Sequence, residues 1–450
     1  MASLFGTDGV RGRANDDLTP ELALSLARAT AKLLLSAGGR VIIGRDTRVS
    51  GRMLEGALAS GFAACGVDVF LAGVIPTPAI PFLIKDERAD LGAVISASHN
   101  PPQDNGIKFF NSRGMKLTVE EEQAIEGALD APLCGFVAVG RIAPLEATAS
   151  RYAAFLTGTI EIEEIDLSGH TIVVDCAYGA TGTIAPRVLR HFNAEVIELH
   201  TSPDGDKINQ ECGSTHLVPL RAAVREHRAD LGIAFDGDGD RVLLVSSDGE
   251  TIDGDQMMGI MALHMKRKGT LCPPLLVATV MSNLGLEQAL AQQGVKMIRT
   301  PVGDRNVAQT MLTQKAKIGG EQSGHIILSD HSVTGDGILT VVKLLEIAHE
   351  RGVSLHTLAE EIPHYPQVRC DIEAEDAKEL LRRPSIKRAV EEERQNLGGK
   401  GRIVVRASGT QPLIRVMVEA EDESLCQRVC AALVAAIEAQ GGADLACSDQ

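Results

Sequence analysis

The 450-residue chain has no tryptophan, and aromatic residues make up only 3% of it. Stacking platforms for single-stranded nucleic acid and aromatic shelves for sugar rings are therefore excluded as its main device. A basic surface is also lacking: 44 Lys and Arg stand against 60 Asp and Glu, a formal charge of −16, the wrong sign for a nucleic-acid binder. If the ligand is an anion, cations must be concentrated locally. Apolar runs such as VIIG and LLVATV are far too short to span a bilayer, and the opening residues carry no secretory-signal pattern. The nine cysteines include no CxxC pair. Cys426 and Cys430 lie four apart on a predicted helix, with no histidine or third cysteine nearby to complete a zinc site. The expectation is reduced thiols in a cytoplasmic protein without nucleic-acid or membrane partners. Walker A, strand-following GxGxxG, HExxH and GxSxG motifs are all missing, which disfavours nucleotide kinases, dinucleotide enzymes and esterases.

What is present is a soluble-type composition, 44% hydrophobic, on a chain too long for one core. Three or four domains are expected. Strands and helices alternate through most of the length, the pattern of parallel-sheet α/β domains. VIIGRD, VDVFLAG and LGAVIS read as strands, with helices predicted over 53–64 and about 120–129. The stretch APLCGFVAVGRIAPLEAT loses periodicity and marks a boundary. The pattern restarts with HTIVVDCAYGATG and runs to LGIAFDGDGDR; a third block begins near residue 254 and holds LLVATV, VKMIRT and the loop GGEQSGH. After His364-Tyr365-Pro366 the strands and helices suggest an antiparallel α+β lid. The expected domains are thus 1–150, 151–253, 254–366 and 367–450. One echo supports duplication: Ala89-Asp90-Leu91-Gly92 and Ala229-Asp230-Leu231-Gly232 each precede an apolar strand that ends at a polar loop. Ligand sites in such sheets lie at the carboxyl ends of strands.

The first of those loops, ISASHNPPQDNGIKFF, places Ser98 before His99, Asn100 and a turn-forming Pro-Pro. Ser96 competes with Ser98, but the turn after Ser98 can leave its hydroxyl exposed. A plain turn, with Ser98 and Asn100 bonding the backbone, is the alternative. Lys108, after Asn105-Gly106, is suitably placed to neutralise a transferring phosphate. The second loop alternates Asp236, Asp238 and Asp240 with glycine, so three carboxylates project to one side of an extended segment. They repel unless a cation sits among them, and oxygen-only ligands favour Mg²⁺ or a similar hard ion; a solvated acidic hairpin is the alternative. An EF-hand is ruled out: Arg241 stands at its glycine position and Ser247 at its glutamate position. Arg241 could hold a phosphate from the other side. Glu321 and Ser323, in GEQSGH, suit sugar hydroxyls, although the loop alone favours an ordinary strand-loop glutamate. The run Arg406-Ala407-Ser408-Gly409-Thr410-Gln411-Pro412, with Arg415 nearby, reads as a nest for a dianionic phosphate, with a plain hairpin turn as the alternative. Arg11, Arg45 and Arg48 supply further cations. A nucleophilic serine, a hard-ion site and a second phosphate site are what a mutase moving phosphate within one sugar needs.

Five motifs, FGTDGVRG, SASHNPPQDNGIKFF, DGDGDR, GEQSGH and RASGTQPLIR, resemble those of the α-D-phosphohexomutase superfamily, in the family's order and over essentially the whole chain. The wording resembles most the bacterial branch acting on amino sugars. The resemblance implies four domains, three similar mixed α/β sheet domains plus a C-terminal α+β lid, around a central active-site cleft. It implies interconversion of glucosamine 6-phosphate and glucosamine 1-phosphate, with glucosamine 1,6-bisphosphate as intermediate, on the route to UDP-N-acetylglucosamine. Ser98 would be the phosphoserine and would bind Mg²⁺ together with Asp236, Asp238 and Asp240. Arg11, His99, Lys108 and Arg241 would line the transfer site, with Lys108, His99 and Arg11 all open as the general base. Glu321, Ser323 and His325 would face the sugar, and Arg406, Ser408, Gly409, Thr410 and Arg415 the distal phosphate. A homodimer is expected on the same ground. The alternatives are a glucose or mannose phosphate mutase of the same fold, a non-catalytic phosphosugar sensor, and a calcium-binding module.

Overall fold

A computed structural model of the chain describes residues 4–6, 8–35, 38–130, 138–162, 164–398, 401–407, 413–441 and 443–449. The first sheet holds β1 (Phe5–Gly6), β2 (Gly9–Arg13), β3 (Arg40–Arg45), β4 (Asp68–Val74), β5 (Leu91–Ile95), β6 (Asp104–Asn111) and β7 (Ile142–Pro144), in the order β1-β2-β6-β5-β3-β4-β7. The second holds β8 (Thr171–Asp175), β9 (Glu195–Leu199), β10 (Leu231–Phe235), β11 (Val242–Ser246) and β12 (Thr251–Ile252), in the order β12-β11-β10-β8-β9. The third, β14-β13-β15-β16, comprises β13 (Leu275–Thr279), β14 (Lys296–Thr300), β15 (Ile318–Gly320) and β16 (Ile326–Leu328). All three mix parallel and antiparallel pairs. The fourth, β18-β19-β17-β20, is antiparallel, built from β17 (Gln367–Glu373), β18 (Gly401–Ala407), β19 (Leu413–Ala420) and β20 (Ala443–Asp449). Two compact units result, Met1–Thr279 with Val295–Glu360, and Val280–Gly294 with Glu361–Gln450. Among the described residues no helix is long and apolar enough to cross a membrane.

The α/β blocks and the antiparallel C-terminal sheet agree with the sequence reading. Two details differ. The aperiodic stretch after residue 130 contains β7, which pairs parallel with β4. Its Ile142 is half exposed, so burial imposed no alternating pattern to read. Among the thiols, Cys176, Cys212, Cys272 and Cys426 are free, whereas Cys370 is disulfide-bonded, against the expectation of reduced cysteines throughout.

The Ala-Asp-Leu-Gly echo is a repeated device for entering a central strand. Arg88 and Arg228 end the preceding helices in the left-handed region, at φ 52° and 51°. Ala89 and Ala229 then donate backbone bonds to Ile84 and Val224, each at 2.9 Å. The Asp90 and Asp230 carboxylates accept from the backbone N–H of Arg40 and Thr171, each at 2.8 Å, which ties the start of β5 to β3 and of β10 to β8. A Cβ at Gly92 or Gly232 would lie 2.6 Å from Ile84 or 2.8 Å from Val224, so glycine lets the helix pack against the strand. A third copy leads into β15. Lys315 is left-handed at φ 56°, Ala316 N–H bonds Met311, and a Cβ at Gly319 would meet Met311 Sδ at 2.7 Å. Its sequence is Ala-Lys-Ile-Gly, so the echo is hidden at the two middle positions. Each copy ends in a loop of interest: β5 at Ser98, β10 at Asp236 and β15 at Glu321.

The helix Gly337–Arg351 abuts the aspartate loop, with Gly337 N–H bonding Gly239 O at 3.0 Å. Its N-cap Asp336 accepts from Leu339 N–H at 2.9 Å and from the buried Tyr152 hydroxyl at 2.6 Å. Burial pushes the Asp336 carboxyl up to about 6. A carboxyl raised above its unfolded value of about 4 holds a proton in the native state that the unfolded chain releases. Its contribution to stability is full below about pH 4 and is lost as the pH rises to about 6. Asp336→Asn keeps a cap acceptor, and urea unfolding between pH 4 and 7 is expected to lose about 2–3 kcal/mol of pH dependence relative to the parent chain.

Candidate active site

Ser98 is left-handed at φ 51° and almost fully buried. Such a backbone at a non-glycine residue is strained and persists only when its surroundings over-determine it. Those surroundings are explicit. Ser98 N–H donates to Ser96 Oγ at 2.9 Å, and Ser96 Oγ donates to Asp46 at 2.6 Å. Asp46 is held by Arg48 Nε at 2.9 Å. The same Arg48 guanidinium donates to the carbonyls of Ser98, Asn100, Pro101 and Asp104, and Asn209 Nδ2 adds bonds to Ser98 and Asn100. Arg48 was expected among the cations offered to an anionic ligand. It is instead fully buried, and its donors are spent on the serine loop. Arg45 likewise pairs with Glu55 at 3.4 Å. Ser96, the competing hydroxyl, is thereby a support.

The Ser98 hydroxyl donates to Asp236 Oδ2 at 2.6 Å and lies 3.3 Å from His99 Nδ1. The serine loop and the aspartate loop, 138 residues apart, thus meet. Gly237 makes the meeting fit, since a Cβ there would lie 2.8 Å from Ser98 O. Asp236, Asp238 and Asp240 are all buried, with ligand oxygens within 4.8 Å of one another. Burial, reinforced by Asp240 and Asp238, pushes the Asp236 carboxyl well up. Burial also works against a charged Asp240, but His325, Lys108 and Arg241 outweigh it and hold that carboxyl well below the usual range. Asp238 Oδ1 and Asp240 Oδ1 are buried without a hydrogen-bond partner. Orphaned carboxylate oxygens are costly, and an oxygen-only set of this kind fits a hard divalent cation.

The compensating cations are close. Lys108 Nζ lies 3.3 Å from Asp238 and 2.9 Å from Asp8, and burial, though opposing its charge, is outweighed by these carboxylates, so the ammonium is held charged. Thr77 Oγ1 donates to Asp238 Oδ2 at 2.6 Å. Arg11 bonds Asp8, and reaches Ala97 O and Asn100 Oδ1 at 3.2 Å each. Arg241 N–H donates to Asp236 at 3.2 Å, while its Nε, buried without a hydrogen-bond partner, lies 3.9 Å from Asp240 Oδ1. Burial, with Arg241 and Arg11 beside it, pushes His99 down to about 4. His325, in the loop expected to face the sugar, is 1% exposed; its Nε2 accepts from Gly335 N–H at 3.1 Å, and its Nδ1 stands 3.5 Å from Asp240 Oδ2. Glu321, in the same loop, is buried and accepts Gly303 N–H at 3.1 Å, with Ser323 partly exposed beside it.

In the second unit, Arg406 and Arg415 pair across β18 and β19, and Asp371 of β17 is the register partner of Arg415. Arg369, unremarked in the sequence, lies on the same face and bonds Asp371 at 3.0 and 3.3 Å. Burial and the neighbouring Arg415 and Arg369 push the Arg406 guanidinium down, an excess of positive charge suited to an anion. Ser408, Gly409 and Thr410 lie outside the described residues. Asp8, Thr77 and Asn209 were also missed. Asp8 stands inside the quoted FGTDGVRG, whereas nothing local marks Thr77 or Asn209.

A buried serine against a triad of carboxylates, at the carboxyl ends of strands in a multi-sheet α/β chain, is the framework of a phosphosugar mutase. The phosphoglucomutase/phosphomannomutase family matches in four parts: alpha/beta/alpha domain I over residues 2–132, domain II over 150–249, domain III over 253–365 and the C-terminal domain over 367–436. The chain belongs to this family and is an isomerase of the mutase type. More narrowly, it is 47% identical to the phosphoglucosamine mutase of Carboxydothermus hydrogenoformans over 97% of this chain and 100% of that one. It is 49% identical to the phosphoglucosamine mutase of Saccharopolyspora erythraea, over 97% and 100%. Among solved structures, a phosphoglucomutase/phosphomannomutase family protein of Burkholderia thailandensis superposes with a TM-score of 0.82 at 25% identity, covering 98% of this chain and 99% of that one. The N-acetylphosphoglucosamine mutase of Aspergillus fumigatus, solved with GlcNAc-6P and magnesium, shares the fold at a TM-score of 0.69 and 16% identity, over 97% and 96%.

The two arginines of GRDTR carry different loads. Arg48→Met strands Asp46 and four carbonyls, and is expected to lower stability in urea by about 3–5 kcal/mol. Arg45→Met breaks a single 3.4 Å pair with Glu55, its side chains 10% and 14% exposed, and is expected to cost less, about 1–3 kcal/mol.

Proposed function

We propose that the chain interconverts glucosamine 6-phosphate and glucosamine 1-phosphate, with Ser98 as the phosphorylated residue and glucosamine 1,6-bisphosphate as the intermediate. The observation that carries this reading is the 2.6 Å contact between Ser98 Oγ and Asp236, at the edge of a triad with two unpartnered buried oxygens. Asp236, Asp238 and Asp240, with the phosphoserine, would hold Mg²⁺, which when bound supplies charge neutralisation to the phosphoryl group.

The chain's own residues then act as follows. The bond from Ser98 Oγ to phosphorus breaks as the bond from phosphorus to the free sugar hydroxyl forms, and that hydroxyl gives up its proton. After the bisphosphate turns around, the other phosphate returns to Ser98 by the same step in reverse. Of the three candidate bases, Lys108 and Arg11 are held as cations by Asp8, while His99 is neutral near pH 7 with Nδ1 3.3 Å from Ser98 Oγ. His99 is therefore the proton acceptor we favour. Arg241, with an unpartnered Nε, balances the phosphoryl charge. Glu321 and Ser323 bind sugar hydroxyls, and Arg406, Ser408, Gly409, Thr410 and Arg415 bind the distal phosphate. The four domains are read as 1–150, 151–253, 254–366 and 367–450. The enzyme works in the cytoplasm as a homodimer, on the route to UDP-N-acetylglucosamine.

Ser98→Ala is expected to lower turnover by on the order of 10⁶-fold with the far-ultraviolet circular dichroism unchanged. Mass spectrometry should find phosphate on Ser98 of the parent chain after exposure to the bisphosphate. Near-normal activity in the variant would overturn the assignment. Turnover compared across glucosamine, glucose and mannose phosphates is expected to be highest on the amino sugar; a preference for glucose or mannose would move the chain to the neighbouring activity of the same family.

A further inference from the structure

The two unpartnered oxygens of the aspartate loop are both Oδ1, and in both residues the other oxygen is occupied. Asp238 Oδ2 takes Lys108 Nζ and Thr77 Oγ1, and Asp240 Oδ2 faces His325 Nδ1. Followed outward, the first support extends. Lys108 Nζ lies 2.9 Å from Asp8 Oδ2, and Asp8 Oδ1 pairs with Lys116 Nζ. Lys116 Nζ also pairs with Asp304 Oδ2. Asp238, Lys108, Asp8, Lys116 and Asp304 thus form a chain of strictly alternating charge. It ends 3.8 Å short of His325 Nε2, which already accepts from Gly335 N–H.

We propose that Lys116 and Asp304 are positioning residues for the divalent-cation site, ending a chain of ion pairs that through Asp8 and Lys108 fixes Asp238 Oδ2 and leaves Asp238 Oδ1 to the cation. This rests on the reading of the triad as that site. Lys116 and Asp304 touch none of the three aspartates in the ion pairs they form; they act through Asp8 and Lys108. Both side chains are only 15% exposed, so their charges are weakly screened and the pair resists being pulled apart. Carboxylate repulsion would otherwise rotate Asp238 away, and a cation would have to pull it back. A chain that already holds its Oδ2 lowers that cost. Outer partners of metal ligands typically govern about ten- to a hundredfold of the affinity.

The test uses the full chain and Mn²⁺ as a paramagnetic probe, with binding read from the loss of the free-ion signal in electron paramagnetic resonance. Lys116→Met and Asp304→Asn are each expected to weaken Mn²⁺ binding by about ten- to a hundredfold. The double variant is expected to fall no further than the weaker single, since either change breaks the same chain. KM for the sugar phosphate should shift far less than the Mn²⁺ affinity. Unchanged Mn²⁺ binding in folded single variants overturns the proposal, as does an equal fall in sugar and ion affinity. Circular dichroism reports folding, and the double variant, which loses both charges, carries the test if a single variant unfolds. Failure of all three to fold also overturns it, because the chain of ion pairs would then be a folding element. Asp238→Asn is the control: if it binds Mn²⁺ as the parent does, the triad reading fails and not the chain alone.

Discussion

Three carboxylates forced together at the end of a buried strand are the constraint from which much of the first unit follows. Asp236, Asp238 and Asp240 leave β10 where water is excluded, and their mutual repulsion is strongest there. The chain meets it in two ways. Fixed cations, Lys108 and Arg241, together with His325, stand against the outer sides of the cluster. The Ser98 hydroxyl donates directly into it. What these leave without a hydrogen bond, the two Oδ1 atoms, belongs to a carboxylate group that fits a hard cation. The serine sits beside that group because its own strained backbone is locked by Arg48 from behind.

Three sheets reach this arrangement by one local rule. A helix ends in a left-handed basic residue, an alanine returns the chain, and a glycine lets the helix pack flat on the strand that follows. The polar loop then emerges at the strand's carboxyl end. Because the lead-in is the same, the contents of the loops can differ: a hydroxyl after β5, carboxylates after β10, a glutamate and a serine after β15. The chemistry is divided among copies whose backbone task is shared.

The loops were legible because their residue types are unusual after apolar strands: Ser-His-Asn-Pro-Pro and alternating Asp-Gly are poor choices for ordinary turns. The central strands were legible because LGAVI and LGIAF are buried on both faces. What could not be read was the direction in which long basic side chains point. Arg45, Arg48 and Lys108 were alike as cations near a polar loop. In the structure one pairs with a glutamate, one spends its guanidinium on carbonyls, and one is pinned between two carboxylates. For Arg48 and Lys108 that depends on contacts separated by 50 to 130 residues, which no local pattern carries. The contacts of His325 were hidden for the same reason: its neighbours Asp240 and Asp304 come from other segments. The third Ala-x-x-Gly copy was hidden by a single charge reversal, Asp to Lys, and a Leu-to-Ile change, although the basic residue before it and the glycine after it were kept.

An acidic chain that takes an anionic substrate has to separate cations that hold the protein together from cations that meet the ligand. In the first unit the separation is visible. Lys108, Lys116, Arg11 and Arg48 are bonded to Asp8, Asp238, Asp304, Asp46 or to carbonyls, so adding a phosphate near them gains little new pairing. Arg241 is held more loosely: its backbone N–H holds Asp236, its Nε, like that of Arg11, has no hydrogen-bond partner, and its carboxylate neighbour stands at 3.9 Å. In the second unit the balance is reversed, with Arg369, Arg406 and Arg415 sharing Asp371 on one sheet face. Net charge is therefore a poor guide to what this chain binds. The formal −16 is compatible with phosphate binding because acidic residues neutralise the structural cations and leave positive charge in excess at few places.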